Sequence, residues 1–287
     1  MATERVFETR DGLKLVADTW GDPDHMPVVF AHGGGQTRHA WGNTARALGR
    51  ADWYTVSLDQ RGHGDSAWAP DGNYGFDMFA QDLVDVAGAV SRRPALVGAS
   101  LGGVSGLVAQ GEKMAGDGEG PFSALVLVDI TPRVEEKGVD RIINFMTANL
   151  EHGFADLEEA ADSVAEYLPH RPRPKNLSGL EKNLRLGDDG RYRWHWDPLF
   201  VTGRERPDRL DRTKRVARLS EAVKTIGVPT LLVRGGQSDL VTMEAVEEFL
   251  ALAPHAEFVD VSGAGHMVAG DKNDAFTDAV VTFLRSL

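Results

Sequence analysis

Short runs of almost uninterrupted apolar residues recur along the chain, and each ends in a glycine or an acid. They are PVVFAHGGG from Pro27, YTVSLD from Tyr54, PALVG from Pro94, SALVLVD from Ser123 and PTLLVRG from Pro229. A strand covered on both faces needs apolar side chains on both, so continuous runs of this length predict a parallel sheet between helices. Between the runs the spacing changes to a helical period, over His39 to Ala51, Phe76 to Val90, Leu101 to Ala115, Met243 to Leu252 and Asp274 to Leu287. The N-terminal residues behave differently. RVFET and LKLVADTW alternate, and the Asp11-Gly12 pair between them predicts a hairpin. The alternation of strands and helices predicts an α/β fold with a mainly parallel sheet.

One stretch breaks the rhythm. Between Pro132 and Ile226 no run reads as a buried strand; helical segments such as ADLEEAADSVAEYL are followed by the charged, aromatic piece GRYRWHWDPLF. A structureless loop of this length is improbable in a compact domain. The expectation is a helical cap over residues 132–226, inserted into a core formed by residues 1–131 and 227–287.

Composition narrows the partners. Forty-three acidic residues against thirty-one basic ones give a formal charge of −12, which disfavours nucleic acid and leaves a small molecule as the expected partner. There is no cysteine, so disulfides, thiolate metal sites and a cysteine nucleophile are excluded. The histidines show no metal-ligand spacing, and neither a metal nor a cofactor is expected. The start, MATERVFETRDGLKLVADTW, has no apolar core of a signal peptide, and no window approaches a membrane span. The expected location is the cytoplasm, without membrane association, as a monomer or a homodimer.

The candidate chemistry begins at VGASLGG, Val97 to Gly103. Gly98, Ala99, Ser100, Leu101 and Gly102 fit the pattern G-x-S-x-G between a strand and a helix, where small neighbours allow a sharp bend that lifts a serine clear of the sheet. A serine hydroxyl needs a base to take its proton, and the base needs a carboxylate to orient it. Asp239 follows the run TLLVRG and His266 follows EFVDV, so both fall just beyond strand ends. Asp129 also ends a buried run, LVLVD, and is the alternative acid.

With HGGG at 32–35, DQRGHGDS at 59–66, GASLGG at 98–103, SD at 238–239 and GAGH at 263–266, the sequence resembles the α/β-hydrolase superfamily over nearly its whole length. The resemblance implies an eight-stranded sheet with a cap after strand 6, and a capped serine hydrolase. It implies Ser100 as nucleophile, His266 as general base and Asp239 as the acid, the commoner arrangement. It also implies an oxyanion hole from the N–H groups of Gly34 and Leu101, with Gly33 or Gly35 as substitutes. Gln36 and Arg38 in QTRHAW, and Trp194 and Trp196 in the cap, are the candidate substrate contacts, Arg38 for a substrate carboxylate. Relatives that open epoxides carry aspartate where this chain has Ser100. The expected reaction is hydrolysis of a carboxylic ester or lactone. The alternatives are carbon-carbon bond hydrolysis of a diketone by the same triad, or a small-molecule receptor or scaffold with little turnover.

Overall fold

The apolar runs do become adjacent strands. In the computed structural model, which describes residues 2–114, 118–169, 173, 176–204, 211–268 and 273–287, eight strands form one sheet. They are β1 (Thr3–Glu8), β2 (Lys14–Trp20), β3 (Met26–Ala31), β4 (Trp53–Leu58), β5 (Ala95–Ala99), β6 (Ala124–Val128), β9 (Thr230–Gly235) and β10 (Glu257–Val261). The order is β1-β2-β4-β3-β5-β6-β9-β10. Only the pairings of β2 with β1 and β4 are antiparallel. Gly12, at φ +83°, turns the first hairpin.

Alternate residues of each strand feed two cores, which is why the runs are continuous. Val29, Leu96, Leu125 and Leu232 face one core, with Leu83 of α2 (Phe76–Gly88), Leu107 of α3 (Leu101–Gly111) and Phe249 of α9 (Met243–Leu252). Val28, Val97, Val126 and Leu231 face the other, with Leu48 of α1 (Gly42–Gly49) and Phe276 and Val280 of α10 (Asn273–Arg285). All these side chains are buried, and burying each contributes about 1.5–3 kcal/mol.

The segment between β6 and β9 departs from the expected helical cap in two ways. It holds α4 (Glu136–Thr147), α5 (Leu157–Tyr167) and the short turns α6 (Ser178–Glu181) and α7 (Leu199–Thr202), but also an antiparallel pair, β7 (Leu184–Leu186) with β8 (Tyr192–Trp194). Strands of three residues are too short to leave a periodicity. The second difference is α8 (Arg212–Thr225), whose Leu219, Ala222 and Val223 join the core of α3. A Cβ on Gly111 would stand 2.5 Å from the Ala222 carbonyl oxygen, so the two helices meet at backbone contact. Thus α8 lies within residues 132–226 yet packs as a sheet-flanking helix. The rest of the segment contributes Met146, Phe154, Trp194, Trp196 and Phe200 to a third apolar cluster shared with Tyr74, Phe79 and Leu101 of the sheet-bearing part. Among the described residues no helix is long and apolar enough to cross a membrane.

Register places the chemistry. Ala31 pairs with Gly98, Ala99 with Val128, and Val128 with Val233, so β3, β5, β6 and β9 end side by side. The residues that follow them share one edge, the carboxyl edge where ligands bind in open α/β sheets.

Candidate active site

Ser100 sits between β5 and α3 with φ +45° and ψ −112°, a conformation that costs a non-glycine residue about 1–3 kcal/mol. The surroundings hold it there. Its N–H donates to the Val128 carbonyl at 3.1 Å, and its own carbonyl accepts from the Val104 N–H at 2.8 Å. A Cβ on Gly98 would come 2.6 Å from the Gly102 oxygen, and one on Gly102 would come 2.4 Å from the Ala31 oxygen. The glycines therefore permit close packing of α3 on the sheet, and that packing is what maintains the bend. Ser100 is half-buried and lines a cavity of about 600 Å³ that also reaches His266.

The acid beside His266 is Asp129, not the favoured Asp239. His266 Nδ1 donates to Asp129 Oδ2 at 2.6 Å. The same oxygen accepts from Ser238 Oγ at 2.6 Å, and Oδ1 accepts from the Gly235 N–H at 3.0 Å. Asp129 is itself at φ +52°, with its N–H donating to the Val233 carbonyl at 2.7 Å. A carboxylate with three donors and 1% exposure fixes the imidazole tautomer, with the proton on Nδ1 and the Nε2 lone pair free to accept one. The turn after β9 explains the exchange. The Ser238 N–H donates to the Gly235 carbonyl and the Gln237 N–H to that of Ala264, which turns the Ser238 side chain inward. Its neighbour Asp239 points outward to α4, where Arg141 Nη2 lies 2.9 Å from its carboxylate, at 40% exposure.

The glycine loop resolves into one available donor. The Gly33 N–H donates to Gln36 Oε1 at 3.0 Å, and that of Gly35 to His63 Nε2 at 3.1 Å. Gly34 is left with its N–H unengaged among the described residues, so Gly33 and Gly35 are not substitutes for it. Leu101 opens α3, where the first N–H groups have no intrahelical acceptor. Gln36, one of the candidate substrate contacts, thus braces the loop while also lining the cavity.

Three buried histidines stiffen this loop. His32 donates from Nδ1 to the Gly33 carbonyl at 2.8 Å and accepts the Gln60 N–H at Nε2. His63 donates from Nδ1 to the Arg61 carbonyl at 2.9 Å, and His195 accepts the Gly64 N–H at Nδ1 while Nε2 faces the Gly35 carbonyl at 3.3 Å. Each ring receives a backbone N–H, so a second proton would set two donors face to face. Burial pushes His32 down to about 4 and His63 down to about 3, and pulls His195 well below its usual value.

Arg38 does not reach the cavity. It is 6% exposed, with Nη1 bonded to Asp59 and, at 2.7 Å, to Asp65, and Nε 3.2 Å from Asp18. Those carboxylates come from distant parts of the chain, so nothing local in QTRHAW signals the burial. Trp194 and Trp196 do line the cavity, stacked 4.9 Å apart at 13°. Ser238 and His195 are positioning residues, a role that no local sequence signal marks. The contacts that give them this role, Ser238 with Asp129 and His195 with Gly64 and Gly35, each span more than a hundred residues.

Comparison with known proteins places the chain in a family. Residues 28–279 match the model of the Alpha/beta hydrolase family. An esterase of Mycobacterium tuberculosis is 31% identical over 261 residues, covering 88% of this chain and 80% of its own. Its solved structure aligns at a TM-score of 0.76 and 27% identity, over 99% of this chain and 92% of that one. A 3-hydroxybutyrate-oligomer hydrolase of Cupriavidus necator is 30% identical over 267 residues, 88% of this chain and 87% of its own. The solved structure of E-2-(acetamidomethylene)succinate hydrolase shares the fold at a TM-score of 0.83 and 22% identity, over 99% of this chain and all of that one.

Proposed function

This chain belongs to the alpha/beta hydrolase family, and from that premise we propose that it hydrolyses a carboxylic ester or lactone of a small to medium organic molecule through an acyl-enzyme on Ser100. The observation that carries the reading is the contact of His266 Nδ1 with Asp129 at the cavity that Ser100 lines. His266 Nε2 takes the Ser100 proton as Oγ attacks the carbonyl, and the N–H groups of Gly34 and Leu101 receive the developing oxyanion. His266 then returns the proton to the leaving alcohol. Water then attacks the acyl carbonyl and gives a proton to His266, which passes it to Ser100 Oγ as the acid leaves. Asp129 stays ionised and stabilises the imidazolium at each step.

The lining fits an apolar substrate body. Phe145, Met146, Trp194, Trp196 and Phe200 surround the site, and their segment acts as the cap that excludes water. The two relatives named as an esterase and as a hydrolase of 3-hydroxybutyrate oligomers support the ester class. The test is rapid mixing with a 4-nitrophenyl ester. The expected result is a nitrophenolate burst of one equivalent per chain and an intact mass raised by the acyl group, both abolished in Ser100→Ala. Turnover that persists in Ser100→Ala contradicts the reading.

A further inference from the structure

The charges around the cavity are not those of the chain as a whole. Among the described residues its only lining carboxylate is Asp129, which is buried and already holds three donors. The other formally charged side chains that line it are two cations, Lys182 and Arg215. A chain of net charge −12 thus places two cations on the cavity lining, and Asp129 is its one lining carboxylate among the described residues. An uncharged ester would need none of this, since the apolar lining already supplies the binding free energy.

Lys182 is the better defined of the two. It directly follows α6, and its neighbour Asn183 is fixed at both ends. Asn183 Oδ1 accepts from Thr37 Oγ1 at 3.2 Å, and its carbonyl accepts the His195 N–H at 3.1 Å. Thr37 directly follows Gln36, which holds the glycine loop, and His195 contacts Gly35. Lys182, exposed at its side chain and lining the cavity with His39, on which its charge acts, is therefore carried by backbone tied to the oxyanion loop. No carboxylate among the described residues lies within ion-pair distance of it.

We propose that the site selects esters bearing a second, anionic group, of which a carboxylate is the simplest, seated at Lys182 while the ester carbonyl lies at Ser100. Lysine suits this task as a flexible point charge that imposes no bidentate geometry. The field also draws anions to an otherwise acidic molecule, so the preference is sensitive to salt. The inference rests on the hydrolytic reading above, and its test separates the two.

The probes are two series of four to eight acyl carbons: mono(4-nitrophenyl) esters of dicarboxylic acids, and 4-nitrophenyl esters of monocarboxylic acids in which methyl replaces the carboxylate. A third series places the carboxylate on the alcohol side, as butyryl esters of ω-hydroxy acids against butyryl alkyl esters. The readout is the ratio of kcat/KM for the anionic ester over its neutral partner. At the best length in one of the anionic series this ratio is expected to exceed one by about tenfold or more. It should fall toward one in Lys182→Met, survive in Lys182→Arg, invert in Lys182→Glu and shrink between low and high salt. A ratio that is below one at every length in both anionic series, or that Lys182→Glu leaves unchanged, overturns the proposal. If no ester is turned over and Ser100 takes no acyl group, it is the hydrolytic reading that fails, and this inference with it.

Discussion

At the scale of single residues, the acid is the informative case. The bend at Ser100 was legible in the sequence because its cause is local: four small residues around a serine, between a strand and a helix. The partner of His266 was not, because Asp129 and Asp239 both follow buried strands and their sequence surroundings do not reveal side-chain direction. The turn after β9 decides it, sending Ser238 inward and Asp239 to Arg141. Ser238 then has its own consequence. Its hydroxyl bonds the same Asp129 oxygen as His266, and a hydrogen bond to a charged group contributes about 1.5–3 kcal/mol. Removing it loosens the carboxylate that orients the imidazole. In Ser238→Ala kcat is therefore expected to fall roughly tenfold or more, with KM little changed. An unchanged kcat would show that Ser238 only fills space.

At the scale of elements, strands covered on both sides announced themselves, and so did the helices between them. What escaped was the hairpin of β7 and β8, whose strands are too short to leave a periodicity, and the role of α8 against α3, which depends on distant packing. The glycines of α3 divide by function. Gly102 meets the backbone of β3 beneath the serine, whereas Gly111 meets α8 at the far end. An added methyl at either site overlaps a carbonyl oxygen, and such overpacking costs about 1–3 kcal/mol. Gly102→Ala and Gly111→Ala are both expected to lower the urea midpoint. Only Gly102→Ala should also lower kcat in the folded state, because only there does the displaced backbone carry Ser100. Equal losses of kcat in the two variants would contradict the division.

At the scale of the whole molecule, the loop that offers the Gly34 N–H is held by neutral imidazoles buried between the sheet and the β6–β9 segment. His32 and His63 are pushed down by burial to about 4 and about 3, and His195 is lowered as well. An unfolded histidine takes up its proton near pH 6.5. Between that pH and the folded values the unfolded chain binds more protons, so stability is full above about 6.5 and is lost as pH falls toward about 4. Each such group contributes about 1.4 kcal/mol per pH unit in that window. Urea titrations are expected to give a free energy that declines from pH 7 to pH 4.5, with a shallower slope in His195→Asn. A free energy flat across this range would show that the histidines are not held neutral by the fold.

The most direct test of the central claim, that Ser100 is activated by His266 and Asp129, is the rate of labelling by a fluorophosphonate probe, read by intact mass. The wild type and Asp239→Asn should take one adduct on Ser100 at similar rates, whereas Asp129→Asn should slow by roughly 10³-fold or more, as expected when the imidazole loses its orienting carboxylate. If Asp239→Asn loses labelling while folded Asp129→Asn keeps it, the constellation proposed for this site is wrong.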